Sequence, residues 1–427
     1  MTEVPTATSS SPASSTVDSS MSRNTSSSED QASTSAREWK KLFGQMQSHH
    51  HHPSSSSSSA STSSLATRIS TRSSTSADVS NSRHTTGRGR GGITRASAAT
   101  TRGGGRTQPS RRLLDSPSST ASSLPSPSTN DPLSRIRHKI VTTPLPPDSV
   151  LTPTGTTYRS IVWKLLLDIR SLDPASYLSL VAKGKSPSHE KIRNDTFRTL
   201  ATDQGFKERV REEKLVRLLD AFVWKYHRSD DSEGEEDDAV GGGVYEFSYV
   251  QGMNVLAAPF LYTLQSEVEA FRCFSRFIEY CCPLYVQPTL AGVHRGLQLL
   301  DRCLEILDPP LFTHLRSKNL SAEIYAFPSV MTLCACTPPL PEVLQLWDFL
   351  LAFGVHFNVL CIVAQLHIMR VDLLESSSPM KLLRNLPPLD ARKIINVTVT
   401  LARDVPKELF EELVRHPYHP ESVVGFT

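Results

Sequence analysis

From about residue 144 onward, apolar residues recur at the spacing of amphipathic helices. The segment Tyr158 to Leu172 carries apolar side chains at 161, 162, 165, 166 and 169, and Lys207 to Tyr226 repeats the pattern. No run alternates with period two for long enough to predict a sheet. The pattern predicts an all-α fold, with further helices over 194–200, 252–264, 267–280, 292–307, 311–319, 342–353, 358–374, 391–403 and 406–415.

The first 130 residues lack this pattern and are dominated by Ser and Thr. Such a segment buries too little apolar surface to offset the entropy lost on ordering. We therefore predict a disordered low-complexity arm over residues 1–140 and one helical domain over 141–420. Within the arm, Trp39, Leu42 and Phe43 share one face of a possible short helix. Two interpretations stay open for it: a segment that folds on a partner, or a transient unbound helix.

Charge separates the arm from the domain. Residues 1–134 hold 14 Lys and Arg against 8 Asp and Glu, whereas the whole chain has a net charge of only +3. A basic arm suits acidic partners or surfaces but does not identify nucleic acid. Two Arg-Gly tracts, at 87–92 and 102–106, lack the interleaved aromatic residues that stack on bases. We interpret them as a tether and do not expect nucleic acid as a partner.

An acidic loop, a long apolar span and the cysteines do not alter the prediction of an all-α domain. The acidic loop 229–243 lacks the regular oxygen spacing of a calcium loop, which favours a solvated insertion. The apolar span from Val343 to Met369 contains Asp348 and is interrupted at Gly354, so it predicts two buried helices without a membrane span. The seven Cys form no CxxC pair and the N-terminus lacks a signal-peptide pattern. A reduced, cytoplasmic protein is expected.

The candidate chemistry is an arginine and an amide. Asp195 and Arg198 are i,i+3 neighbours on a predicted helix, so the carboxylate is in reach of the guanidinium. Gln251 precedes Gly252 at the predicted mouth of another helix, where glycine permits close backbone approach. An amide both donates and accepts, so Gln251 is suited to orienting a water molecule. In isolation, Asp195 and Arg198 also fit an ordinary surface ion pair.

Three motifs occur in order and end in Leu346-Trp347-Asp348. They are RxxxW at Arg159 and Trp163, IxxDxxR at Ile192, Asp195 and Arg198, and YxQG at Tyr249, Gln251 and Gly252. In this order, on predicted helices, they resemble the TBC domain, a GTPase-activating module that acts on Rab-type small GTPases. The resemblance covers about residues 150–415 and implies two helical subdomains.

The resemblance also implies roles for the motif residues. Arg198 would be an arginine finger that neutralises charge on the transferring γ-phosphoryl group of a partner GTPase. Gln251 would orient the attacking water in place of the GTPase's own glutamine. Asp195 would position Arg198 or its helix, Gly252 would keep the loop near the partner, and Arg159 and Trp163 would brace the first helix. No cofactor is expected in this chain, because Mg²⁺ and GTP would belong to the GTPase.

One departure from the family pattern points to a subgroup of the family. Ser329 stands where many members have a large aromatic residue, and 321–339 is similar to a fungal subgroup that restrains mitotic exit or septation. Such members act at the spindle pole body with a non-homologous partner protein, on a Ras-like GTPase. The resemblance therefore implies a two-component GTPase activator located at the spindle pole body and cytoskeleton. The alternative is a TBC-fold scaffold that binds partners with little catalysis of its own.

Overall fold

The computed structural model describes residues 21–48, 131–201, 203–227 and 245–420, with side chains from residue 32 to 46 in the first segment. Within these ranges the predicted all-α fold is confirmed, because helices are joined by turns and the one extended pairing is an isolated bridge between Leu151 and Thr157. A short 3₁₀ turn covers Pro283–Tyr285. The described α-helices are, in chain order, α1 Met21–Ser48, α2 Pro132–Thr142, α3 Tyr158–Leu166, α4 Pro174–Ala182, α5 His189–Thr196, α6 Gln204–Arg209, α7 Glu212–Tyr226, α8 Met253–Thr263, α9 Glu267–Cys281, α10 Ala291–Leu307, α11 Pro309–Ser317, α12 Ala322–Tyr325, α13 Phe327–Met331, α14 Leu340–Phe353, α15 Phe357–Ile368, α16 Arg370–Glu375, α17 Pro379–Arg384, α18 Ala391–Leu401 and α19 Lys407–Arg415.

Local chemistry explains several helix boundaries. Asp131 and Asp173 each accept a backbone N–H at the start of α2 and α4, and a proline follows each of them. At α9, Ser266 and Glu269 form a reciprocal capping box. Gly354 ends α14 with a φ of 114°, which separates α14 from α15. The predicted division of the long apolar span into two buried helices is thus confirmed.

Four predicted helices have different bounds. The helix predicted over 158–172 ends at Leu166, and the helix predicted over 358–374 is divided into α15 and α16. The helix predicted over 194–200 is α5, which begins earlier and ends at Thr196, so Arg198 lies in the turn that follows. Leu200 closes that turn with a φ of 47°. The helix predicted over 207–226 is divided into α6 and α7, because Val210 and Arg211 adopt extended backbone conformations. Val210 is only 5% exposed, so it packs into the core at this break.

The helices form two sets around a shared core. Helices α4 to α9 pack mainly against one another. In the second set, α10 contacts α11, α12, α13, α15 and α19, and α18 packs on α14 and α15. At the junction of the two sets, α14 packs on α2 and α3, which precede the first set in the chain. The aromatic rings of Trp163, Phe260, Phe277 and Trp347 meet at this junction, with ring centroids 5.3 to 6.1 Å apart. Trp347 is 1% exposed, which agrees with a packing role.

The predicted boundary at residue 141 falls inside α2. Helix α2 packs on α14, with Ile136 and Ile140 buried. Helix α1 also lies within the predicted disordered arm, and Trp39 is fully buried there. The composition of the arm concealed the apolar face of α2, whereas the face of Trp39 was visible in the sequence. The acidic loop 229–243 and the Arg-Gly tracts lie outside the described residues.

None of the helices in the described ranges combines the length and the apolar composition that a membrane crossing requires.

Two buried histidines make the stability of this core dependent on pH. Burial lowers the pKa of His356 to about 4 and that of His416 to about 3. Below about pH 6.5 the unfolded chain binds protons at both positions while the folded protein does not. Stability is therefore present above pH 6.5 and is lost as the pH falls toward 4. Between pH 7.5 and 5.5 we expect a loss of roughly 1 kcal/mol for each histidine.

Urea denaturation at pH 7.5, 6.5 and 5.5 measures this loss. The His416→Gln variant should lose about half of the pH dependence, because one of the two buried titrations is removed. The matched control is His294→Gln, since the side chain of His294 is 46% exposed, and it should keep the dependence. Equal stability of the unmodified protein at pH 7.5 and 5.5 would contradict the assignment.

Candidate functional site

Asp195 connects the second and third motifs. It lies near the end of α5 and is 8% exposed. Its Oδ1 accepts a hydrogen bond from Arg198 Nη2 at 2.5 Å, and its Oδ2 accepts one from the Tyr249 hydroxyl at 2.9 Å. Burial, and then the hydrogen bond to Asp195, raise the pKa of Tyr249, so the phenol stays a donor. The carboxylate therefore holds Arg198 on one side and is itself held by Tyr249 on the other.

Arg198 combines an exposed side chain with a fixed guanidinium. Its side chain is 56% exposed, although its guanidinium is fixed by a charge-assisted bond to a mostly buried carboxylate. Phe197 beside it is 67% exposed, the largest exposed fraction among the large apolar residues in the described ranges. Ile192, by contrast, is fully buried and anchors α5 to the domain. The motif thus divides into a buried anchor, a buried positioning group and an exposed cation.

Gly252 caps α8 in a conformation that favours glycine, with a φ of 102°. A Cβ at this position would lie 2.7 Å from Cε of Met331, so the space beside the glycine is filled by α13 of the same chain. Packing against Met331 within this chain is therefore a second explanation for the glycine at position 252, beside the predicted close approach of a partner. Gln251, one residue earlier, is exposed.

Asn254 is a site residue to which the sequence analysis assigned no role. Its Nδ2 donates to the carbonyl oxygen of Asp195 at 3.2 Å and to Oγ1 of Thr199 at 2.8 Å. Its Oδ1 accepts from the backbone N–H of Gly252 at 3.1 Å. One buried amide thus fixes the turn that carries Arg198 against the loop that carries Gln251. The available signal was a polar side chain in the first turn of an otherwise apolar helix.

Arg198 and Gln251 line the same groove, which has a volume of about 720 Å³. One wall comes from the turn after α5 and the start of α8, and the other from α13 and the start of α14. Phe327, Met331 and Leu340 supply apolar surface on the second wall. An open groove with a fixed cation and an exposed amide at its edge suits a charged group presented by another molecule.

The first motif lies at the junction of the two helix sets. Arg159 Nε donates to both carboxylate oxygens of Asp348 at 3.0 and 3.2 Å, and its Nη1 donates to Asp148 at 2.8 Å. Trp163 Nε1 donates to Asp348 at 2.7 Å. Burial raises the pKa of Asp348, and the charge and hydrogen bonds of Arg159 oppose that rise. Arg159 and Trp163 therefore connect α3 to α14 through Asp348.

Ser329, which departs from the family pattern, is buried in α13. Its carbonyl oxygen accepts from Asn358 Nδ2 at 3.1 Å and so connects α13 to α15. Among the described residues, no three His, Cys, Asp or Glu side chains are grouped as metal ligands. The assignment of Mg²⁺ and GTP to the partner GTPase stays a prediction.

The comparisons with known proteins agree with the three motifs. Residues 156–374 match the family model described as "Rab-GTPase-TBC domain". The chain therefore belongs to the Rab-GTPase-TBC domain family, a family of GTPase-activating domains. Cell division control protein 16 of Schizosaccharomyces pombe is 47% identical over 266 residues, which are 62% of this chain and 83% of that protein.

One further relative and one solved structure are also similar to this chain. The mitotic check point protein BUB2 of Saccharomyces cerevisiae is 37% identical over 293 residues, which are 68% of this chain and 93% of that protein. The alignment with the crystal structure of the Ypt/Rab-GAP domain of Gyp1p covers 64% of this chain and 92% of that chain. The two are 16% identical in sequence, with a TM-score of 0.48.

Proposed function

We propose that this protein stimulates GTP hydrolysis by a Ras- or Rab-like small GTPase through Arg198 and Gln251. The observation that carries the proposal is their placement on one groove, connected through Asp195, Asn254 and Gly252. A scaffold has no chemical need for an exposed arginine held by a buried carboxylate beside an exposed glutamine.

The proposed chemistry is positioning and electrostatics. Arg198 enters the nucleotide site of the GTPase and neutralises the charge that develops on the γ-phosphoryl oxygens. Gln251 accepts a hydrogen bond from the attacking water and donates another, and so aligns the water with the phosphorus. Asp195 holds the guanidinium before the partner arrives, which reduces the entropy lost on complex formation. Phe197 gives the partner an apolar contact next to the cation.

The biological setting is proposed from the two relatives described above. Their names refer to cell division control and to a mitotic check point, so we propose that this chain restrains mitotic exit or septation. We further propose that it acts with a second, non-homologous protein at the spindle pole body. A TBC-fold scaffold that binds a GTPase without accelerating it is the alternative.

Single-turnover GTP hydrolysis tests the proposal and separates these alternatives. A panel of GTP-loaded Ras- and Rab-like GTPases is incubated with the purified full chain, alone and with cell extract. Acceleration by the chain alone indicates a self-sufficient activator, and acceleration only with extract indicates a two-component activator. Binding of a GTPase without acceleration in either condition would overturn the catalytic proposal and favour the scaffold.

A further inference from the structure

Helix α1 is attached to the domain by an apolar contact and a shared carbonyl oxygen. Trp39 packs on Phe43, whose ring centroid lies 5.8 Å from that of Tyr158 at the start of α3. Trp39 Nε1 donates to the carbonyl oxygen of Pro144 at 3.0 Å, and Ser35 Oγ donates to the same oxygen at 2.6 Å. The helix that the sequence analysis assigned to a partner or to an unbound state therefore contacts its own chain.

A charged contact adjoins this carbonyl. Glu38 of α1 accepts a hydrogen bond from Thr143 Oγ1 at 3.0 Å and pairs with Lys139 of α2. The hydrogen bond from Lys139, followed by the one from Thr143, lowers the pKa of Glu38. Arg135 also donates to Gln45, one turn before the end of α1. The segment 135–144 thus holds α1 through one ion pair, between Lys139 and Glu38, and through several hydrogen bonds.

Thr143 is also the first residue of a Thr-Pro dipeptide. It caps the C-terminal end of α2 with an extended backbone, φ −141° and ψ 120°, as expected for a residue before proline. We propose that Thr143 is a phosphorylation site for proline-directed Ser/Thr kinases and that its phosphorylation releases α1 from the domain. In this step Thr143 Oγ attacks the γ-phosphorus of ATP, loses its proton to solvent, and ADP leaves.

A phosphate at Thr143 acts on α1 in three ways. It removes the Thr143 hydroxyl proton that is donated to Glu38. It also adds a charge of about −1.5 to −2 in contact with the Glu38 carboxylate. It also competes with Glu38 for the ammonium group of Lys139. A second cation is close in space, because Arg392 of α18 donates to the carbonyl oxygens of Val141 and Thr142. Because Lys139 and Arg392 would hold the phosphate on the domain, its repulsion of Glu38 would push α1 away.

The hydrogen bond between Thr143 and Glu38 also makes phosphorylation depend on whether α1 is docked on the domain. The Thr143 hydroxyl is engaged with Glu38 when α1 is docked, so a kinase reaches it more readily when α1 has moved away. A modification that occurs in the undocked state and opposes redocking shifts the population toward that state. Because residues 49–130 connect α1 to α2, the released helix stays in the same molecule.

The full chain treated with ATP and a proline-directed kinase tests the proposal, with phosphosites located by mass spectrometry. Hydrogen exchange of the amides of residues 32–46 reports on α1. We expect phosphate on Thr143 and exchange about tenfold to a hundredfold faster, the change for one lost hydrogen bond to a charged group. The matched control is Thr152→Ala, which removes another Thr-Pro site whose hydroxyl bonds to Thr154 and Thr156. This variant should still respond, and Thr143→Ala should not.

A second variant isolates the electrostatic cause. Glu38→Gln removes the carboxylate that the phosphate repels, so phosphorylation should accelerate α1 exchange much less in this background. An equal acceleration in Glu38→Gln and the unmodified chain would overturn the proposed repulsion. Full phosphorylation of Thr143 with unchanged α1 exchange, or modification of Thr152 while Thr143 stays unmodified, would overturn the proposed site. These readouts do not depend on GTP hydrolysis.

Discussion

Replacing Arg198 by alanine should reduce the stimulated rate of GTP hydrolysis by about 10³- to 10⁵-fold, the range for an arginine finger. The expected loss is in the rate at saturating activator, because the guanidinium acts on charge that develops in the transition state. Affinity for the GTPase should change little, since the groove walls and Phe197 stay in place. Single-turnover hydrolysis and equilibrium binding measure the two quantities separately.

Two variants sharpen this test. Arg193→Ala removes an exposed arginine of α5 that does not line the groove, and this variant should stimulate hydrolysis normally. Arg198→Lys keeps the charge but not the planar fork, and it should recover only a small part of the rate. A parallel loss of binding and hydrolysis in Arg198→Ala would instead make this residue a docking contact.

Replacing Asp348 by alanine should lower the free energy of unfolding by about 3–5 kcal/mol, the usual cost of breaking a buried ion pair. The substitution leaves Arg159 buried with Asp148 as its remaining charge partner, and it removes the acceptor of the Trp163 indole. Since domains are stable by only about 5–15 kcal/mol, much of the stability depends on this contact. Urea denaturation followed by far-UV circular dichroism measures the change.

The matched control for Asp348→Ala is Glu411→Ala. Glu411 pairs with Lys407 on α19, and the two side chains are 54% and 84% exposed. Such a surface pair contributes about 0.2–1 kcal/mol at most, so this variant should unfold almost normally. A cost below about 1 kcal/mol for Asp348→Ala would show that aromatic packing alone joins α3 to α14.

The sequence was informative where periodicity or motif spacing carried the signal. The all-α fold followed from apolar spacing, and the family followed from three motifs in order. Short helices such as α2 and α4 were missed because, at 11 and 9 residues, they contain too few turns to establish a helical period. Their Asp N-caps and N-terminal prolines, at Asp131 and Asp173, were the readable signals.

Long-range contacts were beyond sequence reasoning. Arg159 and Asp348 are 189 positions apart, and no local pattern says which carboxylate will face a buried guanidinium. The apolar face of Trp39 was visible, but its target at Pro144 was not, because the arm's Ser and Thr dominated the composition. Asn254 was visible as a residue, while its three hydrogen bonds depend on how α5 and α8 meet.

The central claim is that Gln251 supplies the water-orienting amide from this chain. The most direct measurement is single-turnover hydrolysis by a responsive GTPase whose own catalytic glutamine has been replaced by alanine. We predict that the unmodified chain still stimulates this GTPase, that Gln251→Ala does not, and that the exposed-residue control Gln265→Ala does. Loss of stimulation by the unmodified chain on this GTPase would contradict the claim, because the amide would then come from the GTPase.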